Sequence, residues 1–217
     1  LERAERAGIL SWRSYGSTEH PSVSSGGPLD PVEVRHRTDG SVGDGVEVRI
    51  VDEDRHDLPA GEPGEILVRG PKLFVGYRDA TLDADAFAPG GWFRTGDIGR
   101  LDAEGHLVIT DRIKDIIIRG GENIASKEVE DVLADHPAVA EVAVVAQPDP
   151  ALGEIVAAVV RLVPGWKLDL DDVTAHFRSA GVPRHKVPEA LHVIDDFPRT
   201  AAGKVRKPDL RAQLAGA

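Results

Sequence analysis

The sequence predicts an α+β protein in two parts, a β-rich unit followed by a unit that mixes strands and helices. Three observations predict it. Short runs of alternating apolar and polar residues, bounded by glycine, crowd the segment from about 29 to 111. After Arg112 the runs become longer and more apolar, and they are separated by segments of helical period. The length of 217 residues, 41% of them hydrophobic, allows one large domain or two smaller ones, each with a real core.

Taken in order, "LERAERAGIL" (1–10) reads as the end of a helix stopped at Gly8. "SWRSYGSTEHPS" reads as a short strand running into a loop. In "GVEVRIVDED", Val46, Val48 and Ile50 alternate with Glu47 and Arg49, the period of a half-buried strand. "GEILVRG" and "GHLVITD" are further short strands, so this stretch suggests a small barrel or sandwich. "DIIIRGGEN" is a strand entering a glycine turn. Ser126 suits an N-cap, and Val129, Val132 and Leu133 form the apolar face of a helix ended by Pro137. "EVAVVAQ" and "EIVAAVVRLV" are apolar strands, and Leu170, Val173 and Phe177 mark a second helix stopped by Gly181 and Pro183. "EALHVID" is a third strand and a last short helix covers about 207–214. The joint "DRIKD" near 112–114 is either a surface loop or a hinge.

The net charge of −11 excludes nonspecific nucleic-acid binding. The charge is uneven: residues 183–217 hold seven Lys/Arg and four Asp/Glu, a balance of +3, against −14 for the rest. Such a basic patch suits a local anion site or a basic helix end. With no cysteine there are no disulfides, thiolate metal sites or cysteine nucleophiles, which fits a reducing compartment, and a cytoplasmic location is expected. No segment reaches the roughly 18 apolar residues of a membrane span, and no signal peptide is visible. There is no methionine, position 1 included, so the sequence reads as a piece of a longer protein.

Four stretches carry chemistry. In "YGSTE", Gly16 frees the backbone, Ser17 and Thr18 offer hydroxyls to an anion, Glu19 suits Mg²⁺ as a hard oxygen ligand, and Tyr15 gives a flat face for a base; any Ser/Thr-rich turn has the same composition. In "GWFRTGDIG", Asp97 between glycines can accept two ribose hydroxyls, as the acid of dinucleotide-binding folds does, or it marks a tight turn between strands. In "TDRIKDIIIRGGEN", Arg112 has a planar fork for phosphate or ribose oxygens. Gly120 and Gly121 either admit a thin ligand close to backbone or make a hairpin turn of positive φ. In "PRTAAGKVRK", the Gly203-Lys204 step is not a phosphate-binding G-x-x-x-x-G-K-[ST] loop, because Pro198 stands at the first glycine position and Val205 follows the lysine. Lys204 is then either a solvated tail lysine or one held on a turn to reach a distant anion.

In order, content and spacing these four stretches resemble the acyl-adenylate-forming superfamily of acyl-CoA synthetases, adenylation domains of nonribosomal peptide synthetases, and luciferases. The likeness covers essentially the whole chain, as the C-terminal portion of such an enzyme. "GSTEHPS", "GPKLFVGY" and "DRIKDIIIRGGENIASKEVEDVL" are most similar to acyl-CoA ligases for fatty, cyclic or aromatic acids, the cyclohexanecarboxylate type above all.

The resemblance implies two steps: a carboxylate attacks the α-phosphate of ATP with Mg²⁺ present, giving acyl-AMP and pyrophosphate, and the thiol of CoA then displaces AMP. It implies that Tyr15 packs on adenine, that Gly16 and Ser17 belong to the same nucleotide loop, that Thr18 meets the α-phosphate and that Glu19 serves Mg²⁺. Asp97 would bind the ribose and Arg112 the ribose or phosphate. Lys204 would be the adenylation lysine, with a lysine acetyltransferase as a possible partner there. Lys114 would be the hinge, and Gly120-Gly121 would line the CoA tunnel after a domain swing. The implied domains are 1–28, the end of a large N-terminal adenylation domain; 29–112, a β-barrel subdomain; and 113–217, a mobile C-terminal domain of acyl-CoA synthetase-like fold. The family's upstream phosphate loop is absent from this sequence, so the chain alone is expected to be inactive. The alternatives are an adenylating enzyme that loads a carrier protein and a non-catalytic module that retains the fold.

Overall fold

Residues 1–215 are described by the computed structural model, which places them in two units, Leu1–Ile113 and the chain from Lys114 onward. No described helix is long and apolar enough to cross a membrane.

In the first unit, helix α1 (Glu2–Arg6) ends as expected near Gly8, whose φ of +75° is left-handed. Strand β1 (Ser14–Tyr15) pairs with β2 (Ser24–Ser25), and β2 with β3 (Ser41–Val42), all antiparallel. Between β2 and β3 lies helix α2 (Val32–Arg37), inside the stretch expected to be β. "VEVRHR" has the period of a strand, so local pattern misreads it. The tertiary partner decides: the buried Arg35 guanidinium donates to both carboxylate oxygens of Glu5, at 2.9 and 2.8 Å, and to the Ser11 carbonyl. A helical turn points Arg35 inward at that carboxylate.

The rest of the unit is a curled antiparallel half-barrel: β4 (Glu47–Val51), β5 (Gly64–Arg69), then short helix α3 (Asp83–Ala86), β6 (Phe87–Ala88), β7 (Trp92–Leu101) and β8 (Leu107–Arg112). The ten-residue β7 pairs with β5 along one edge, while β6 and then β8 share its other edge. The expected alternation holds. Val46, Val48 and Ile50 pack into one core with Ile66, Val68 and Phe93, while Arg49 turns out to an ion pair with Asp57.

In the second unit, β9 (Ile117–Arg119) and β10 (Glu122–Ile124) form a hairpin, followed by α4 (Ser126–Ala134), β11 (Val139–Asp149), β12 (Gly153–Leu162), α5 (Leu170–Ser179), β13 (Ala190–Val193) and α6 (Lys207–Ala215). The sheet order is β10-β9-β12-β11, with β13 parallel to β12. Strands β11 and β12 are continuously apolar because both of their faces are covered. Val144, Val156, Ala158 and Val160 pack with Val129, Leu133, Val173 and Phe177 of α4 and α5. Ala143, Val145, Ala157 and Val159 pack with Phe197 and with Leu210 of α6.

Helix α4 ends at Ala134, before Pro137 as expected. Ser126 is not its N-cap; Ala125 holds that position, with φ −70° and ψ 114°. The Ser126 hydroxyl is buried and accepts from Lys207 Nζ at 2.9 Å, a contact between residues 81 apart in sequence. The true cap of α5 is Asp169, paired with Asp172 in a capping box.

His20 is fully buried in the first unit, and neither ring nitrogen has a hydrogen-bond partner among the described residues. A Cβ on Gly70 would lie 3.0 Å from its Nε2, so the ring fills the space that a side chain there would need. Burial lowers the His20 pKa, its own backbone opposes this, and the charge of Lys72 adds to the lowering.

Two stability outcomes follow. Asp169→Ala removes the α5 cap and should cost about 1 kcal/mol, read as a lower urea midpoint at unchanged slope. Because the native state keeps His20 neutral, the unfolded chain binds more protons as pH falls below about 6.5. The stabilisation is full above that value and is lost as pH falls toward the depressed native pKa. Melting temperature should therefore drop between about pH 7.5 and pH 5.5, and the drop should shrink in His20→Leu. An equal drop in both proteins would assign the pH dependence to other groups.

Candidate active site

Asp97 lies within β7, in a strand and not in a turn between strands. The ladder is irregular there: Glu65 pairs with Ile98 but Leu67 with Arg94, so β7 carries extra residues at Thr95–Asp97. Gly96 takes a φ of +69°. The Thr95 hydroxyl donates to the Ile66 carbonyl at 2.8 Å and accepts the Asp97 N–H at 3.0 Å. A bulge of this kind re-aims a side chain, and here it turns Asp97 toward β1 and the end of β8.

Asp97, 7% exposed, has its carboxylate held from both sides. The Tyr15 hydroxyl donates to Oδ2 at 2.6 Å and Arg112 Nε donates to Oδ1 at 2.6 Å. Asp97 and Arg112 are also opposite each other in the β7–β8 register. Burial, and then the adjacent Asp97 charge, push the Tyr15 phenol well above its ordinary range, so it remains a donor. A carboxylate has about four acceptor sites. Two contacts leave Asp97 lone pairs for further hydroxyls.

Gly16 is required where it stands, since a Cβ would lie 2.6 Å from the Pro21 carbonyl oxygen. After it the chain makes a tight turn: Ser17 N–H donates to the His20 carbonyl at 3.0 Å, and His20 N–H to the Ser17 hydroxyl at 3.2 Å. Thr18 is exposed on this turn. Glu19 Oε1 accepts from the Tyr77 hydroxyl at 3.0 Å, and the Glu19 carbonyl accepts the Phe74 N–H at 2.8 Å. Burial works to raise the Glu19 pKa, but its own backbone N–H, the Tyr77 and Ser17 hydroxyls and the Arg112 charge outweigh it, and the carboxyl stays below the ordinary range. An ionised carboxylate of this kind fits Mg²⁺, which takes one or two carboxylates and keeps its other positions for water and phosphate oxygens. Tyr77 was not legible as a site residue. It lies 58 residues from Glu19, and no spacing joins them.

Gly120 and Gly121, with φ of +56° and +90°, form the two-residue turn of the β9–β10 hairpin, where Arg119 pairs with Glu122. A Cβ on Gly121 would meet nothing within 4 Å. Lys114 is exposed in a 3₁₀ turn, Ile113–Asp115, and its carbonyl accepts from Arg211 at 3.1 Å.

Lys204 follows a tight turn in which Thr200 N–H donates to the Lys204 carbonyl and Gly203 N–H to the Thr200 carbonyl, both at 2.8 Å. Gly203 has a φ of +82°. The neighbouring cations are all paired: Arg199 with Glu141, Arg206 with Asp209, and Lys207 with Glu130. Lys204 is exposed and its ammonium has no partner among the described residues. Tyr15, Asp97 and Arg112 thus meet directly within the first unit, with Glu19 in reach of the Arg112 charge, while Lys114, Gly120, Gly121 and Lys204 belong to the second.

The family described as AMP-binding enzyme matches residues 1–78, and the AMP-binding enzyme C-terminal domain matches residues 128–204, ending on Lys204. The chain is 43% identical over 212 residues to a medium-chain fatty-acid–CoA ligase of Escherichia coli K12, covering 97% of this chain and 38% of that one. O-succinylbenzoate-CoA synthetase of Bacillus subtilis, solved with ATP and magnesium ion, superposes with a TM-score of 0.85 at 33% identity, over 98% of this chain and 43% of that one. The amide bond synthetase McbA of Marinactinospora thermotolerans superposes at 0.82 with 38% identity, over 92% and 41%. The chain spans about two fifths of the length of the curated relatives it matches. With both family matches in sequence order and the nucleotide-loop, Asp97 and Lys204 stretches in place, the chain belongs to the acyl-adenylate-forming superfamily of AMP-binding enzymes and carries its C-terminal domain.

Proposed function

We propose that this chain is part of an ATP-dependent acid–thiol ligase that activates a carboxylic acid as acyl-AMP and passes the acyl group to CoA. The observation that carries the reading is the Tyr15–Asp97–Arg112 constellation, a buried carboxylate gripped from both sides, with lone pairs to spare, beside an aromatic face. Tyr15 offers that face to adenine while its hydroxyl keeps Asp97 oriented. Asp97 accepts the ribose hydroxyls, and the Arg112 fork reaches ribose or phosphate oxygens. Gly16 and Ser17 shape the turn that presents Thr18 to the α-phosphate. Glu19 serves Mg²⁺, which when bound neutralises phosphate charge.

The first step brings two anions together: a carboxylate oxygen bonds to the α-phosphorus and pyrophosphate leaves. Lys204 supplies the cation that bridges them, and its neighbours are already committed to ion pairs. In the second step the CoA sulfur bonds to the acyl carbon and AMP leaves. Gly120 and Gly121 give a slim turn beside which a pantetheine arm can pass. Lys114 begins the second unit and acts as the pivot that exchanges Lys204 for the glycine turn, a conformational gate between half-reactions. The relatives support acid activation, and the E. coli ligase favours fatty acids within the fatty, cyclic or aromatic class. McbA, an amide bond synthetase, makes the acceptor a matter for direct assay against CoA and a carrier-borne pantetheine. The 217-residue chain alone should not turn over, and acetylation of Lys204 by a lysine acetyltransferase would switch off adenylation by removing its charge.

In the enzyme that contains this chain, Lys204→Ala should slow acyl-AMP formation by about 10²–10³, since such a contact contributes roughly 3–4 kcal/mol. Conversion of supplied acyl-AMP and CoA should be far less affected. Gly121→Leu should do the reverse. ATP–pyrophosphate exchange and thioester formation, measured separately, decide this; loss of the same half-reaction in both variants would refute the division. Lys114→Pro fixes φ and removes an N–H, and should collapse one half-reaction while sparing the other. Equal loss of both with normal melting would count against a pivot.

A further inference from the structure

The Lys204 turn has a well-packed base and a bare tip. At the base, Arg199 and Val205 form an antiparallel bridge, Arg206 N–H donates to the Pro198 carbonyl at 2.8 Å, and Phe197 and Val205 pack on the β11–β12 face. At the tip, Ala201, Ala202, Gly203 and Lys204 are exposed and belong to none of the core clusters among the described residues. Arg199 ties tip to sheet. Arg199 Nη1 donates to the Gly203 carbonyl at 3.1 Å, while its Nη2 donates to both oxygens of Glu141 on β11, at 2.8 and 2.7 Å. Glu141 is itself steadied by Arg161 Nη2 at 3.2 Å.

We propose that Arg199 is a positioning residue for adenylation: clamped on Glu141, it holds the Gly203 carbonyl and so sets the direction in which Lys204 leaves the turn. Arginine suits this role where lysine does not. Its planar fork serves two acceptors in fixed geometry, one on the tip and one on the sheet, whereas an ammonium on a flexible stem fixes neither angle. The ion pair is about a third exposed at Arg199 and a quarter at Glu141, so solvent screens it and its share of stability is small. Its geometric consequence is large by comparison, because a shift of about 1 Å in a reacting group costs up to roughly 10² in rate. A brace that matters to rate and hardly to stability is the signature of positioning.

The proposal rests on the reading of Lys204 as the adenylation lysine, and the experiment separates the two. Arg199→Ala, Arg199→Lys, Glu141→Gln and Lys204→Ala are compared in the enzyme that contains this chain. Arg199→Ala should lower the maximal rate of ATP–pyrophosphate exchange by about 10- to 100-fold. KM for ATP should stay within about twofold and melting within about 3 °C. Thioester formation from supplied acyl-AMP should be unchanged, and the Gly203 and Lys204 amides should exchange hydrogen faster. Arg199→Lys should recover part of the rate, and Glu141→Gln should fall on the same side as Arg199→Ala. If Arg199→Ala adenylates like the parent while Lys204→Ala does not, the positioning role is wrong and the reading of Lys204 stands. If Arg199→Ala lowers both half-reactions equally together with melting temperature, Arg199 is a structural residue and the proposal fails. If Lys204→Ala adenylates normally, both fall.

Discussion

A carboxylate shut away from water needs donors aimed at its oxygens, and that constraint organises the surface presented by the Leu1–Ile113 unit. Asp97 is satisfied by a phenol from β1 and a guanidinium from the end of β8. To bring it between them, β7 gives up its regular ladder for a bulge stitched by Thr95. The same Arg112 charge helps to keep Glu19 ionised on the neighbouring turn. Tyr15, Glu19, Asp97 and Arg112, from three distant stretches, thereby share one electrostatic environment.

In the second unit Lys204 is exposed, and its ammonium has no partner among the described residues. The sheet of this unit is apolar on both faces, covered by α4 and α5 on one side and α6 on the other, and forms a stiff platform. Around the Lys204 turn every other basic side chain is absorbed: Arg199 by Glu141, Arg206 by Asp209, Lys207 by Glu130 and Ser126. Partners so placed offset the positive charge around Lys204. The β9–β10 turn is made by two glycines at positive φ, where any Cβ would be strained.

Much of this was legible. Period-two alternation marked Val46–Ile50, continuous apolar runs marked β11 and β12, and helical spacing marked α4 and α5, because burial writes itself into sequence wherever an element has a fixed inner face. Asp97 and Arg112 were legible as ligand-binding types, although their contact with each other and with Tyr15 was not. Three features stayed hidden for one reason. Helix α2 exists because Arg35 must reach Glu5, Ser126 is spoken for by Lys207, and Tyr77 braces Glu19. Each depends on a polar partner 30 to 81 residues away, and a polar pair at that distance leaves no period.

The sequence by itself determined the α+β class, the order of the strands and helices, the anion-seeking and cation-seeking residue types, and the family likeness, since all of these reside in local pattern and in short motifs. The tertiary structure alone decided which oxygen of Asp97 meets Tyr15 and which meets Arg112, that Lys204 has no ammonium partner among the described residues, and that Arg199 joins the Gly203 carbonyl to Glu141. Those outcomes depend on directions and distances between side chains far apart along the chain, and a hydrogen bond lost over a single ångström has no counterpart in residue order.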